Sequence, residues 1–244
     1  MVKLSERLQA VADMITPGLR VSDVGCDHGY LSIYLMQNKI AKSVIASDVR
    51  TGPLSKAAEN VNTYEMADII DIRLSDGLNM IDPGEVDCIV MSGMGGNLMM
   101  DILKRGSDVL QEAREIVLQP QSEIAGVRHF LQDNGWMIIS ESMVYEDYKY
   151  YPMMKAVKGE MNWDSEVYFI YGKVLLREQN PILHQFLLQE RDYYVNLYNE
   201  LGCQVSSDRV RDRLRDVETS LSYNNEALEM VDKKSVVTVD RVLR

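Results

Sequence analysis

The sequence predicts an α/β protein: a seven-stranded, mostly parallel sheet followed by an antiparallel, coiled-coil-like helical hairpin. Three observations support this prediction. Short β-like runs alternate with helix-length segments between residues 19 and 134, which is the rhythm of a parallel sheet with helices on both faces. Two more β-like runs follow Gly135 without a clear helix between them, which favours antiparallel pairing at the sheet edge. From Asn180 onward, apolar residues recur at helical spacing.

The elements can be placed in order along the chain. An amphipathic leading helix ends at Pro17-Gly18. The predicted strands cover residues 19–24, 43–47, 69–74, 86–91, 115–118, 136–145 and 166–175, and the helices between them cover 30–39, 54–64, 98–110 and 123–134. We predict a catalytic domain over 1–176, a helical hairpin over 177–231 and a flexible tail over 232–244.

Composition restricts the class of protein. The chain has 244 residues, of which 46% are apolar and 26% charged, so it can bury a sizeable core and is not generally disordered. Its net charge of −11 excludes a uniformly basic module. The three cysteines form no CxxC pair, so we expect neither a disulfide framework nor a metal site. No apolar run is long enough to span a membrane and no signal-peptide core is visible, so we expect a cytoplasmic protein without a membrane partner.

The first chemical motif lies where strand one turns into its helix and reads Asp23-Val24-Gly25-Cys26-Asp27-His28-Gly29-Tyr30. Glycines there let a nucleotide-like ligand approach the backbone. The dinucleotide pattern G-x-G-x-x-G fits poorly. An acidic residue followed by alternate glycine positions is instead typical of the S-adenosylmethionine loop of Rossmann-like methyltransferases, with Asp27 at the middle position.

Two acidic residues follow the next two strands. Asp48 ends strand two, where a carboxylate can accept both ribose hydroxyls of a bound nucleoside, although alone it could be a helix cap. Asp76, beside Gly77, could accept a hydrogen bond from an adenine amino group, or could simply build an Asp-Gly turn. Val49 belongs to the same predicted cofactor site.

The loop after strand four contains Gly93, Met94, Gly95, Gly96 and Asn97. Three glycines in four positions exceed the needs of a tight turn, and they would let the backbone approach both the transferable methyl group and a planar acceptor. The Asn/Asp-Pro-Pro-aromatic segment of many base-nitrogen methyltransferases is absent here, so this loop does not specify the acceptor.

These motifs resemble one bacterial family, the tRNA (adenine-N1)-methyltransferases that modify adenosine 22, or TrmK family. The resemblance covers nearly the whole chain and includes the run from Leu4 to Leu8, the Asp27-His28 pair, the Gly-Met-Gly-Gly run and Leu118-Gln119-Pro120-Gln121. It implies a class I methyltransferase fold, S-adenosyl-L-methionine as cofactor, tRNA as partner and a hairpin that contacts tRNA.

The resemblance and the motifs together define an expected site. The expected cofactor-binding residues are Arg7, Asp23, Gly25, Cys26, Asp27, His28, Gly29, Asp48, Val49, Asp76, Gly77, Gly93, Met94 and Gly95. The expected substrate-binding residues are Gly96, Asn97, Gln119, Pro120, Arg209, Arg211, Arg213 and Arg215. Asp27, His28 and Tyr30 are the expected catalytic residues. For each of these three, a structural role in the loop or at the helix start remains an alternative.

Acidity complicates tRNA binding. The segment 177–231 holds six basic and ten acidic residues. Its four clustered arginines could form a local basic patch, because screening limits the reach of distant acids to about 8 Å, or they could be a solvated face balanced by Asp212 and Asp216.

Two other functions stay open: a methyltransferase acting on a small molecule or protein, with the hairpin as an oligomerisation element, and a nucleotide-binding module without catalysis. We expect a monomer and leave a dimer open.

Overall fold

A computed structural model describes residues 1–203 and 207–232 of the protein. The strands are β1 (Arg20–Val24), β2 (Ser43–Asp48), β3 (Ile70–Leu74), β4 (Cys88–Met94), β5 (Glu115–Pro120), β6 (Trp136–Glu146) and β7 (Lys149–Lys158). The helices are α1 (Glu6–Met14), α2 (Tyr30–Gln37), α3 (Thr51–Thr63), α4 (Gly96–Arg105), α5 (Ser107–Glu112), α6 (Ile124–Asp133), α7 (Lys173–Arg177), α8 (Pro181–Gly202) and α9 (Asp208–Asp232).

All seven strands form one sheet in the order β3-β2-β1-β4-β5-β7-β6. The first five strands are parallel, and β7 pairs antiparallel with both β5 and β6. The strand order reverses between β1 and β4, and such a switch point opens a crevice at the carboxyl ends of the strands, where ligands bind in open α/β sheets. The predicted α/β class and the seven-stranded, mostly parallel sheet are therefore confirmed.

The strand burial explains why the central elements were predictable. Four of the five residues of β1 and all six of β5 are buried, as expected for parallel strands covered by helices on both faces. The leading helix α1 begins after Ser5, whose hydroxyl accepts a hydrogen bond from the backbone N–H of Leu8. The predicted helix over 98–110 is divided at Gly106 into α4 and α5.

One strand prediction is wrong. Residues 166–175 do not pair with the sheet; they are helical, with a π-helical turn Tyr168–Gly172 running into α7. The seventh strand is β7, which is not among the predicted strands, and it pairs with β6 from Trp136↔Lys158 to Glu146↔Lys149. The β-branched and aromatic residues of 166–175 suggested a strand, but Phe169, Tyr171 and Leu175 are buried in helical packing. Tertiary burial outweighs the weak local preference.

The chain divides into two compact units, Met1–Asp164 and the unit that starts at Ser165, so the division precedes the predicted boundary at 176. In the second unit, Asn180 caps the start of α8: its side chain accepts hydrogen bonds from the N–H groups of Ile182 and Leu183. Helices α8 and α9 pack together as the predicted hairpin. The predicted tail 232–244 lies outside the described residues, except for Asp232, which ends α9.

Apolar and polar contacts both hold the hairpin. Leu183 and Leu187 of α8 and Val217 and Leu228 of α9 are buried. Asn224 is also fully buried, and its amide donates to the backbone oxygen of Leu187 (3.0 Å) and to Glu190 Oε2 (2.9 Å). A polar residue in an apolar helical seam fixes the register of the two helices.

The three cysteines are free thiols. Cys26 and Cys88 are buried, whereas Cys203 is exposed. Burial, with nearby carboxylates adding to it, raises the pKa of the Cys26 thiol above its usual range, and burial likewise raises the pKa of Cys88. Within residues 1–203 and 207–232, no helix is long and apolar enough to cross a membrane, and no three His, Cys, Asp or Glu side chains are grouped to hold a metal ion.

Candidate functional site

A cavity of about 460 Å³ lies in the first unit at the carboxyl ends of β1, β2 and β4. Thirteen predicted residues line it: Arg7, Asp23, Gly25, Cys26, Asp27, His28, Tyr30, Asp48, Val49, Asp76, Gly77, Gly93 and Met94. A larger concavity of about 700 Å³ follows the edge strand β3 and contains none of the predicted residues. The smaller cavity is therefore the candidate site, because its chemistry and its place at the switch point agree.

The loop after β1 is fastened to β2. The backbone N–H groups of Gly25 and Cys26 both donate to the carbonyl of Ser47, at 2.8 and 2.9 Å. Gly25 has a φ of +73°, and a Cβ there would stand 2.2 Å from Met94 Cε. The position requires glycine for its backbone conformation, and the missing side chain leaves room for the end of the Met94 side chain. Gly29, at the start of α2, supports the loop without lining the cavity.

Asp23 is a buried acid in the cavity wall. Its Oδ2 accepts a hydrogen bond of 2.6 Å from the Ser32 hydroxyl. Burial raises the pKa of Asp23 to about 6, a rise that the Ser32 hydrogen bond partly opposes and the charge of Asp48 adds to. A buried carboxylate with this pKa is stabilised by a cation, so the site suits the ammonium group of an α-amino acid.

This raised pKa predicts a pH dependence of binding for the cofactor that the family resemblance implies. We expect the affinity for S-adenosylhomocysteine to fall as the pH decreases through about 6, because the protonated Asp23 cannot pair with the ligand's ammonium. Calorimetry between pH 5 and 8 measures the effect, with 5′-methylthioadenosine, which lacks the ammonium, as the matched control. A pH profile shared by both ligands contradicts the assignment.

The same group affects folding stability with a defined sign. Because the folded pKa of about 6 exceeds the value of 3.8 for an unperturbed Asp, the contribution of Asp23 to stability is fully present below pH 3.8 and is lost as the pH rises through 6. In the ligand-free protein, Asp23→Asn is therefore expected to raise the unfolding temperature at pH 7 and not at pH 4.

Asp48, at the end of β2, is buried. Its Oδ1 accepts a 2.8 Å hydrogen bond from the backbone N–H of Arg50, whose guanidinium Nε lies 3.6 Å away. Among the described residues, Oδ2 has no hydrogen-bond donor. A buried carboxylate oxygen without a donor in a cavity wall suits a ligand hydroxyl.

Asp76 forms an ion pair with Arg105, a residue that was not predicted to belong to the site. Both of its oxygens accept hydrogen bonds from Arg105, at 2.9 and 3.2 Å. This contact lowers the pKa of Asp76 below its usual range, so the group is a carboxylate at neutral pH. Each oxygen keeps a further acceptor position, so the ion pair leaves room for a ligand donor.

The three predicted catalytic residues meet at the mouth of the cavity. Asp27 has a φ of +50° and an exposed carboxylate, whose Oδ2 lies 3.7 Å from His28 Nε2. The rings of His28 and Tyr30 lie 6.1 Å apart, and Tyr30 is 39% exposed. All three side chains are therefore accessible to a substrate rather than buried in the loop.

The glycine loop predicted from the sequence, residues 93–97, covers the end of β4 and the start of α4, and its residues serve two different functions. Gly93 and Met94 line the cavity, whereas Gly95, Gly96 and Asn97 do not. At Gly96 a Cβ would meet the carbonyl oxygen of Ser122 at 2.5 Å, so this glycine serves close packing between α4 and the loop after β5. Asn97 is exposed on α4.

Gln119 and Pro120, predicted to bind substrate, are buried at the end of β5 and do not line the cavity. The exposed Gln121, which follows them, does line it. Alternation along the chain does not indicate this, because residues 119 and 121 of an extended segment share a side; the strand ends at Pro120, and Gln121 lies beyond it. Ser92, Leu98 and Ile102 also line the cavity without having been predicted.

The four predicted arginines lie on α9 in the second unit and are exposed. Arg211 pairs with Asp208, Arg213 with Asp216 at 4.0 Å and Arg215 with Asp212 at 3.0 Å. Within the described residues Arg209 has no ion-pair partner. Exposed pairs on one helix are weak and exchange readily, so the arginines remain accessible to a stronger anion.

The fold and the acidic, glycine-lined cavity define a methyltransferase domain of the Rossmann-like class, and residues 4–154 match the family described as "Methyltransferase domain". The protein belongs to this family. Solved structures that resemble 93% of the chain indicate a narrower family within this class. Sp1610 of Streptococcus pneumoniae, a candidate tRNA (m1A22) methyltransferase, is 30% identical, with a TM-score of 0.85 over 93% of this chain and 100% of that one. The protein is a member of the tRNA (adenine(22)-N1)-methyltransferase, or TrmK, family.

Other relatives agree. The tRNA (adenine(22)-N(1))-methyltransferase of Bacillus subtilis is 29% identical over 93% of this chain and 98% of its own length, and the crystal structure of B. subtilis TrmK has a TM-score of 0.85 over 93% of this chain and all of that one. Sp1610 has also been solved in complex with S-adenosyl-L-methionine, at 29% identity and a TM-score of 0.82, covering 93% of this chain and all of that one. The predicted family is thereby confirmed.

Proposed function

We propose that the protein transfers a methyl group from S-adenosyl-L-methionine to N1 of adenosine 22 in tRNA. One observation carries the cofactor assignment: charged groups follow the sheet edge in the order of the cofactor's own parts. Arg7 and Asp23 stand at β4 and β1, Asp48 at β2 and Asp76 at β3. Carboxylate, ammonium, ribose and adenine follow the same order along the ligand.

The residues present fit the cofactor. Arg7 and Asp23 complement an α-amino acid, Asp48 offers an acceptor to the ribose hydroxyls, and Asp76 offers one to the adenine amino group. A cavity of about 460 Å³ falls within the usual range of small-molecule sites. When bound, the cofactor supplies an electrophilic methyl group on a sulfonium centre.

The protein's contribution to the reaction is mainly placement. Adenine N1 has a lone pair at neutral pH, so attack needs no prior deprotonation, and the site must hold N1 and the methyl carbon in line. His28 and Tyr30 offer ring surfaces at the cavity mouth on which the base can stack. Methylation leaves the adenine cationic, and the exposed carboxylate of Asp27 takes a proton from its amino group.

The variant Asp27→Ala tests that role. We expect turnover to fall at least tenfold while the dissociation constant of S-adenosylhomocysteine changes less than threefold, because Asp27 acts on the adenine rather than on the cofactor. Single-turnover methylation and calorimetry measure the two quantities. Equal losses in both would assign Asp27 to the cofactor loop.

The tRNA partner is supported by the family and by the hairpin. Target N1 lies on the Watson–Crick edge, so the base must be exposed before reaction, at a cost of a few kcal/mol. The exposed arginines of α9 offer phosphate contacts to hold the RNA meanwhile. We propose a cytoplasmic monomer with a catalytic domain and a tRNA-contacting hairpin.

The experiment is methyl transfer from labelled S-adenosylmethionine to unmodified tRNA, followed by nucleoside analysis. We expect 1-methyladenosine from tRNA that carries A22 and none from the same tRNA with G22. Label on other nucleosides, or equal label on both tRNAs, would refute the assigned position. Label only on protein or small molecules would refute the tRNA substrate.

A further inference from the structure

Gln119 is a fully buried amide beside the site with an unusual set of donors. Its Oε1 accepts hydrogen bonds from Arg7 Nη1 at 2.8 Å, from the Gly93 N–H at 3.1 Å and from the Ser92 hydroxyl at 3.3 Å. Its Nε2 donates to the carbonyl of Pro120 at 3.2 Å. The amide thus joins α1 to the irregular end of β4, where the register with β5 shifts between Ser92 and Met94.

The Arg7 guanidinium is hydrogen-bonded through Nη1, while its other nitrogens are available to a ligand. Nη1 donates one hydrogen to Ser92 Oγ at 2.7 Å and one to Gln119 Oε1. The guanidinium carbon lies 5.5 Å from the ring centroid of Tyr151, a cation–π distance. Among the described residues, Nε and Nη2 have no acceptor, and Arg7 lines the cavity. A guanidinium fixed in this way presents its remaining donors as a fork.

We infer that Gln119 is a positioning residue that orients Arg7 toward the carboxylate of the cofactor's α-amino acid group. This inference rests on the proposed function. Gln119 touches no ligand itself. Its oxygen fixes the guanidinium plane, and the same oxygen fixes the Gly93 N–H at the start of the glycine loop. The family resemblance had suggested substrate binding for this residue, and the burial of Gln119 excludes direct contact through the cavity.

The charges favour a carboxylate over an RNA phosphate as the ligand of Arg7. Asp23 stands on β1, paired with β4, whose Ser92 accepts from Arg7. An anion that binds Arg7 must do so despite repulsion from the negative charge of Asp23. A zwitterionic amino acid does so, because its ammonium pairs with Asp23 while its carboxylate pairs with Arg7. A phosphodiester has no ammonium and would be repelled.

The test is a double-mutant cycle read with two ligands. Gln119→Met keeps the length of the side chain and removes the acceptor, and Arg7→Ala removes the fork. S-adenosylhomocysteine carries the amino acid group, whereas 5′-methylthioadenosine lacks it. We expect Gln119→Met to weaken the binding of S-adenosylhomocysteine by about tenfold, the usual effect of one lost hydrogen bond to a charged group, and to leave 5′-methylthioadenosine within twofold.

The coupling between the Gln119 and Arg7 substitutions distinguishes a positioning role of Gln119 from a merely structural one. If Gln119 acts through Arg7, the double variant binds S-adenosylhomocysteine no more weakly than Arg7→Ala. Additive losses, equal losses for both ligands or no loss for either would overturn the inference. If Gln119→Met does not fold, Gln119→Asn serves instead: it keeps the amide but shortens the side chain and so withdraws the acceptor from Arg7 Nη1, so we expect a several-fold loss for S-adenosylhomocysteine alone, and no such loss overturns the inference.

Failure of the inference on Gln119 can be distinguished from failure of the proposed function. Wild-type protein that binds neither ligand refutes the cofactor assignment itself. Wild-type protein that binds both ligands but does not methylate tRNA refutes the substrate, while the cycle still decides the role of Gln119.

Discussion

Replacing Asp48 with alanine is expected to weaken the binding of S-adenosylmethionine more than tenfold. The carboxylate is buried, and its Oδ2 has no donor among the described residues, so a bound ribose would supply the missing hydrogen bonds. A hydrogen bond to a charged group contributes about 1.5–3 kcal/mol. In Asp48→Ala, the loss of the acceptor for two ribose hydroxyls therefore outweighs the gain from no longer burying a charged carboxylate. Calorimetric titration measures the change.

The control for Asp48→Ala is Asp68→Ala. Asp68 is an exposed acid in the first unit and does not line the site, so its removal changes net charge equally and should leave affinity unchanged. Circular dichroism verifies that both variants fold. Intact folding with unchanged affinity in Asp48→Ala would remove Asp48 from the site.

Removing the second unit is expected to abolish most tRNA methylation while cofactor binding persists. The helical pattern in the sequence suggests a cut near Asn180. Residues 166–177 are also helical, however, and they belong to the second unit, so the informative fragment is Met1–Asp164. It contains the whole candidate cavity. The measurements are calorimetry with S-adenosylhomocysteine and methyl transfer to tRNA. A fragment that methylates tRNA as well as the full chain would favour an oligomerisation role for the hairpin.

Charge replacement within the full chain sharpens the same prediction. Changing Arg209, Arg211, Arg213 and Arg215 together to glutamine should weaken tRNA binding and flatten its dependence on salt, because fewer counterions are then released from the RNA. The matched control changes the same four residues to lysine, which keeps the charge. Equal binding by wild type and the glutamine variant at two salt concentrations would remove the arginines from the interface.

The sequence predicted the parts of the fold that depend on local pattern. Strands β1 to β5 are short and alternate with helices, so Asp23, Asp48 and Asp76, which lie at or next to the ends of three of these strands, could be placed at one edge of a sheet. Strand β7 was missed because it contains Pro152, which normally argues against a strand. Pro152 pairs with Met143 of β6, but strand β5 pairs with β7 only as far as Met154. The missing N–H of Pro152 therefore interrupts no pairing with β5.

Contacts between distant segments could not be predicted. Arg105 reaches Asp76 across 29 positions of the chain, and Arg7 reaches Gln119 across 112. Neither pairing leaves a periodic signal in the sequence. The resemblance to a family identified Gln119 as notable, but only the fold reveals that its amide faces Arg7 instead of the cavity.

The distribution of the thiols has a practical consequence. Cys26 and Cys88 are buried, and the raised pKa of each keeps it protonated, whereas the thiolate is the form that reacts with alkylating reagents. Cys203, exposed just after α8, is the remaining cysteine of the chain. A maleimide dye should therefore attach at one position in the unmutated protein, directly after the last residue of α8. Fluorescence from that dye would report whether RNA reaches the hairpin, independently of catalysis in the other unit.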